Sequence, residues 1–157
     1  MAVCLVNLRP VAFVTAVFTV VCFVLSGLTV FAQPDVSASC AALMVAETGE
    51  LIYGKNEHDR RSMASTTKIM TSLLAIEALT PQRKITVSAD MLNVEGTSMG
   101  LLPGDTVTLE GLVYGMLLQS GNDAADVTAI TLGGNVESFV SMMNKRAREI
   151  GMNDTHF

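Results

Sequence analysis

Residues 64–79 read Ala64-Ser65-Thr66-Thr67-Lys68-Ile69-Met70-Thr71-Ser72-Leu73-Leu74-Ala75-Ile76-Glu77-Ala78-Leu79. Wound at 3.6 residues per turn, Ile69, Met70, Leu73, Leu74, Ile76 and Leu79 fall nearly all round the axis. The spacing therefore predicts a helix over 64–79 that is buried inside a domain rather than laid on its surface. Thr80-Pro81 ends it. At its head, Ser65 and Lys68 stand three residues apart, one turn along the same face. A serine hydroxyl is a weak nucleophile unless a neighbour takes its proton. A lysine amine does so only when uncharged, a state favoured by burial among apolar side chains and by the positive end of a helix. That helix end also offers a backbone N–H to an oxyanion. On its own, Ser-x-x-Lys is a weak signal, and a helix cap followed by a surface lysine is the simpler reading.

Downstream, Ile85 and Val87 alternate briefly and Pro103-Gly104-Asp105 turns the chain. Thr108 is placed to cap a helix striped by Leu109, Leu112, Val113, Met116 and Leu117. Ser120-Gly121-Asn122 interrupts the pattern, and a second helix over Asp123–Leu132 follows until Gly133-Gly134. Val136, Phe139, Val140, Met143, Ala147 and Ile150 mark a third, amphipathic helix with Gly151 as its C′ residue. A hydroxyl and an amide on the 120–122 turn are able to face one cleft. There the hydroxyl would relay a proton to a leaving amine and the amide would orient a peptide. An ordinary turn, with Asn122 capping the next helix, fits the same three residues. The methionines are expected mostly on such stripes, Met70, Met116 and Met143 among them, where core packing would account for them.

Upstream, Ser39–Val45 and Glu50–Gly54 are β-prone runs around the turn Ala46-Glu47-Thr48-Gly49, a predicted hairpin, with a loop over Asn56–Ser62. Val11 to Ala32 carries no charge, Arg9 precedes it, and Val30-Phe31-Ala32 puts small residues where signal peptidase inspects. This predicts a secretory signal over 1–32, with an uncleaved anchor as the alternative; both export residues 33–157. Cys4 and Cys22 leave with the signal, so Cys40 has no intramolecular partner and is expected as a small apolar residue on a buried strand.

Across all 157 residues, 10 Lys+Arg oppose 15 Asp+Glu for a net charge of −5, which argues against a nucleic-acid partner. With 50% apolar and 16% charged residues the chain is one folded domain or part of one. Three scattered cysteines and two distant histidines, His58 and His156, offer no metal-ligand spacing.

Ser65-x-x-Lys68 and Ser120-Gly121-Asn122 together, in an exported chain, resemble the penicillin-binding and serine β-lactamase superfamily, and within it the low-molecular-weight D-alanyl-D-alanine carboxypeptidases. The likeness extends to Ala64–Thr71, Glu95-Gly96-Thr97-Ser98-Met99-Gly100-Leu101, Pro103-Gly104-Asp105, Leu117–Ala125, Phe139, Met143-Asn144, Ala147 and Gly151–Phe157. It runs from about Cys40 to Phe157. Two departures stand out: Met63 replaces the family's usual Pro, and the family's third motif, Lys-Thr-Gly, is absent.

The resemblance implies an α/β (α+β) sandwich of the penicillin-binding-protein type, cut to its N-terminal part: a β-hairpin, a buried nucleophile helix and a helical subdomain, without the C-terminal sheet strands. Residues 33–157 would then be the N-terminal portion of the catalytic domain, the product of a truncated reading frame or an incomplete assembly. It further implies a hydrolase of cell-wall biogenesis that removes the terminal D-alanine of peptidoglycan stem peptides through an acyl-enzyme. Ser65 is the implied nucleophile, Lys68 its base, Ser120 the proton relay and Asn122 the substrate-binding amide. β-Lactams are implied as covalent inhibitors, and neither metal nor organic cofactor is required. The implied place is the extracytoplasmic face of the bacterial membrane or the wall, with room for peripheral membrane association. A serine β-lactamase, which more often carries Asp where Gly121 stands, and a non-catalytic wall-binding protein are the alternatives.

Overall fold

The computed structural model describes Phe18, Pro34 and residues 36–78, 80, 82–92 and 95–157. The expected signal over 1–32 lies outside these residues except for Phe18, as do Leu79 and Pro81 at the expected end of the first helix. The chain divides into two compact units, one up to Arg60 and one from Arg61 to Phe157.

In the first unit, β1 (Ala41–Met44) pairs antiparallel with β2 (Leu51–Lys55), with Ala41 opposite Lys55 and Leu43 opposite Tyr53. The turn closes through Val45 N–H to the Glu50 carbonyl (2.9 Å) and Gly49 N–H to the Val45 carbonyl (2.8 Å). Gly49 takes the positive φ, +72°, that the expected hairpin requires. Cys40 is half-buried on the bend before β1, not on a buried strand. Its neighbour explains why: the Ser39 carbonyl accepts from Asn56 Nδ2 (2.9 Å), a side-chain bond that stands where the ladder would have continued.

The second unit is mainly helical. A 3₁₀ turn, Ala64–Thr67, leads into α1 (Lys68–Glu77), so Ser65 precedes the α-helix proper. β3 (Lys84–Thr86) pairs antiparallel with β4 (Thr106–Thr108), a two-stranded ribbon of which the sequence showed only the first half. Thr108 then caps α2 (Leu109–Gln119), its Oγ1 accepting from Gly111 N–H at 3.1 Å. α3 spans Asn122–Gly133 and α4 Val136–Glu149. Asn135, unremarked in the sequence, caps α4 by accepting from Ser138 N–H at 2.8 Å. Gly151 has the expected left-handed φ of +86°, and Met152 N–H returns to the Ala147 carbonyl at 2.9 Å.

Two apolar clusters fill this unit. Ile85, Val87, Leu109, Leu112, Val113 and Met116 pack with Ala75 of α1 and Ala124 and Val127 of α3. Phe139, Met143 and Ala147 of α4 pack with Met70 of α1 and Ala129 of α3. Several stripe residues lie outside them. Ile69 and Ile76 of α1 are 63% and 60% exposed, because α2, α3 and α4 occupy only part of the helix circumference. Leu117 is also exposed; eight residues beyond Leu109 it has turned about 80° off that stripe. Met70, Met116 and Met143 are core residues as expected, whereas Met44, Met63, Met99, Met142 and Met152 are not. Outside the core, Arg146 of α4 clasps Glu77 of α1 with bonds of 2.6 and 2.9 Å. Asn144 pairs both polar atoms of its side chain with the backbone of Phe157 (2.9 and 3.2 Å), which holds the 151–157 segment on α4.

Candidate active site

The nucleophile candidate sits on a tight entry. Ala64 has φ +46°, unfavourable for a residue with a Cβ, and the Met63 carbonyl accepts both the amide (3.2 Å) and the hydroxyl (2.6 Å) of Thr66. One turn later α1 sets Lys68, only 8% exposed, with Nζ 3.5 Å from Ser65 Oγ.

The other half comes from the break between α2 and α3. Ser120 ends α2 in the left-handed region, φ 54° and ψ 31°, and the Gly115 carbonyl receives the amides of both Ser120 and Gly121. This turn aims Ser120 Oγ at Ser65 Oγ, 2.7 Å away, and leaves it 3.5 Å from Lys68 Nζ. Asn122 is the first residue of α3, not its cap; Gly121 occupies the cap position. Its side chain serves the site instead: Oδ1 accepts from Lys68 Nζ at 2.7 Å, and Nδ2 donates to the Glu95 carbonyl. Ser65, Lys68, Ser120 and Asn122 thus converge on one point. Among the described residues no carboxylate forms an ion pair with Lys68.

Three further groups shape the site. The segment 95–101 lies on the 120–122 turn: Thr97 Oγ1 donates to the Ser120 carbonyl (2.7 Å), and Asn122 N–H donates to the Thr97 carbonyl (2.8 Å). Asp123 is 1% exposed. Burial alone would raise its carboxyl, but the Ser98 hydroxyl and the amides of Leu101, Met99 and Ala124 outweigh that and hold it below the ordinary carboxylate range. Asp126, one turn beyond Asn122, is pushed the other way. Burial first, then the charge of Asp123, raises it against the pull of Lys68. With Thr67, Lys68, Thr71, Glu95, Asn122 and Ala125 it lines a cleft of about 420 Å³. Sequence reading singled out none of Thr97, Asp123 and Asp126 individually. An acid in the first turn of a helix looks like ordinary dipole matching, so only the fold distinguishes it. Among the described residues no three His, Cys, Asp or Glu side chains group as a metal site.

A hydroxyl on a 3₁₀ turn, a buried lysine on the helix that follows and a second hydroxyl at an interhelical break, all within hydrogen-bond reach, form an arrangement able to support acyl transfer. The chain belongs to the D-alanyl-D-alanine carboxypeptidase family, whose model matches residues 28–157. It is similar to the D-alanyl-D-alanine carboxypeptidase DacF of Bacillus subtilis (strain 168), 38% identical over 125 residues, 76% of this chain and 32% of that protein. Among solved structures it is similar to the D-alanyl-D-alanine carboxypeptidase DacD of Francisella tularensis: TM-score 0.75, 37% identity, 80% of this chain and 32% of that one. The carboxypeptidase of Mycobacterium tuberculosis H37Rv superposes with TM-score 0.77 at 28% identity, covering 83% and 49%. The mixed fold of helices and small sheets is therefore that of the penicillin-binding proteins, as the motifs implied. The chain spans about a third of the length of the first curated relatives it matches.

Proposed function

We propose that the protein carrying these residues is a serine D-alanyl-D-alanine carboxypeptidase acting on peptidoglycan stem peptides. The observation that supports it most is the placement of Lys68 Nζ 3.5 Å from both Ser65 Oγ and Ser120 Oγ, with the two oxygens 2.7 Å apart. Ser65 Oγ attacks the carbonyl of the penultimate D-alanine while its proton passes to the Lys68 amine. The carbonyl oxygen becomes an oxyanion, for which the Ser65 amide at the head of the 3₁₀ turn is a suitable donor. Its collapse breaks the peptide C–N bond, and the proton travels through Ser120 to the departing D-alanine nitrogen. Asn122, fixed by Lys68 and the Glu95 carbonyl, orients the substrate amide. Water then attacks the acyl-enzyme, loses a proton to Lys68, and releases the shortened peptide as Ser65 regains its hydrogen. A β-lactam acylates Ser65 by the same route.

The uncharged stretch from Val11 to Ala32, with Arg9 before it, supports residues 1–32 as a secretory signal, an extracytoplasmic, wall-facing location, and residues 33–157 as catalytic-domain sequence. In the protein carrying this chain, a fluorescent penicillin is expected to label Ser65 covalently, and Ser65→Ala to abolish both labelling and D-alanine release. D-Alanine release that survives Ser65→Ala overturns the reading.

A further inference from the structure

The most heavily hydrogen-bonded side chain near the site is one that the mechanism does not use. Asp123 Oδ1 accepts from the amides of Met99 (2.9 Å) and Ala124 (2.9 Å). Its Oδ2 accepts from the Ser98 hydroxyl (2.5 Å) and the amides of Gly100 (2.9 Å) and Leu101 (3.0 Å). Five donors from two pieces of chain meet on one buried carboxylate. It touches neither Ser65 nor Lys68. We infer that Asp123 is a positioning residue: it fastens residues 98–101 to the head of α3, and through them sets where the Ser120 hydroxyl and Asn122 amide meet Ser65 and Lys68. The inference rests on the acyl-transfer reading above.

The connection is short and continuous. Just before the fastened residues, Thr97 holds the Ser120 carbonyl and the Asn122 amide, and the Glu95 carbonyl holds Asn122 Nδ2. One end of the segment therefore grips the catalytic turn and the other is gripped by Asp123. Such a grip is needed because Ser120 is a non-glycine residue at φ 54°, a conformation that persists only where its surroundings over-determine it. The segment is packed directly on the turn: a Cβ at Gly121 would come within 2.8 Å of Asp123 Oδ1 and 3.2 Å of the Met99 nitrogen. Neutral amides cannot replace the carboxylate. An asparagine offers one acceptor oxygen, and its NH₂ would face either the Met99 and Ala124 amides or the Ser98, Gly100 and Leu101 donors. An unmet set of donors then lets the segment lift.

Asp123→Asn in the full chain, with Ser98→Ala as a milder variant that removes one donor of five, tests this by penicillin labelling. Positioning predicts that the first-order acylation constant falls by about tenfold or more in Asp123→Asn, and by less in Ser98→Ala, with the half-saturating penicillin concentration moving less than about twofold. A role in stability alone predicts a smaller labelled fraction at an unchanged rate constant, because molecules that remain folded react normally. Phe139→Leu, in the second apolar cluster and remote from the turn, supplies that comparison. An unchanged rate constant in both Asp123→Asn and Ser98→Ala overturns the inference. If the wild-type chain takes no label, the acyl-transfer reading fails separately. The positioning claim is then decided by the Ser120 Cα and Cβ NMR shifts, which move in the variants if it holds and stay fixed if it does not. Should Asp123→Asn not fold, Ser98→Ala carries both readouts.

Discussion

Two aspartates three residues apart on one helix do opposite things, and the difference lies in what surrounds each carboxyl. Asp123 meets five donors; Asp126 receives no hydrogen bond among the described residues and lines the cleft beside Lys68. A carboxyl held below its ordinary range lends stability that is present above the unfolded value and is lost as pH falls through the folded one. A raised carboxyl behaves in reverse: it costs stability once ionised, and the cost disappears as pH falls below the ordinary carboxylate range. Asp126→Asn is therefore expected to raise the thermal midpoint near neutral pH and to leave it unchanged in acid. A midpoint that moves equally at both pH values contradicts this. Lys68→Met is a sharper case. It keeps the buried stem but leaves Asn122 Oδ1 without its 2.7 Å donor, so acylation of Ser65 is expected to vanish while circular dichroism stays native. Gly121 shows the same local logic. A Cβ there would stand 2.8 Å from Asp123 Oδ1 and 3.2 Å from the Met99 nitrogen, so any side chain at 121 has to displace the Asp123 clasp.

The helix ends show how far sequence carries. Thr108 was legible because it stands directly before a clean apolar stripe, and the structure uses it as the cap the stripe calls for. Asn122 has the same capping chemistry and the same position before its expected helix, yet its side chain turns to Lys68 and Glu95, and Gly121 is left as a cap without a side chain. The local rule fails there because the residue is committed to the site, and departures of this kind are expected at functional positions. Asn135 is the converse: it caps α4, but the preceding Gly133-Gly134 masked the signal. Thr108→Ala and Asn135→Ala are each expected to lower the free energy of unfolding by about 1 kcal/mol in urea titrations, with the slope unchanged. A loss near zero for either would mean that the cap bond adds nothing beyond water. Gly133 is constrained for a different reason. A Cβ there would stand 2.7 to 2.9 Å from the backbone and Cβ of Phe139, so Gly133→Ala is expected to force α3 and α4 apart and to lower the thermal midpoint, as heat denaturation would record.

At the scale of the helical unit, the two apolar clusters are not independent cores. α1 gives Ala75 to one and Met70 to the other, and α3 gives Ala124 and Val127 to one and Ala129 to the other. The same two helices carry Lys68 and Asn122, so the site straddles the seam that joins the clusters. Periodicity made α1 legible as a helix but could not show which residues would find partners. An apolar residue on every side marks a helix as buried in principle, and only the placement of α2, α3 and α4 determines that Ala75 is covered and Ile76 is not. Shared helices make a cooperative unit: opening either cluster must displace α1 or α3 and so expose the other. Native-state hydrogen exchange tests this on two amides, Leu112 in the first cluster and Met143 in the second, which are expected to exchange with one common opening free energy. Phe139→Ala, which empties a 2% exposed site, is expected to lower that value at both amides together, by roughly 3–5 kcal/mol. If Met143 loses protection while Leu112 keeps it, the clusters open separately and the site lies between two parts that move independently, not on a single rigid support.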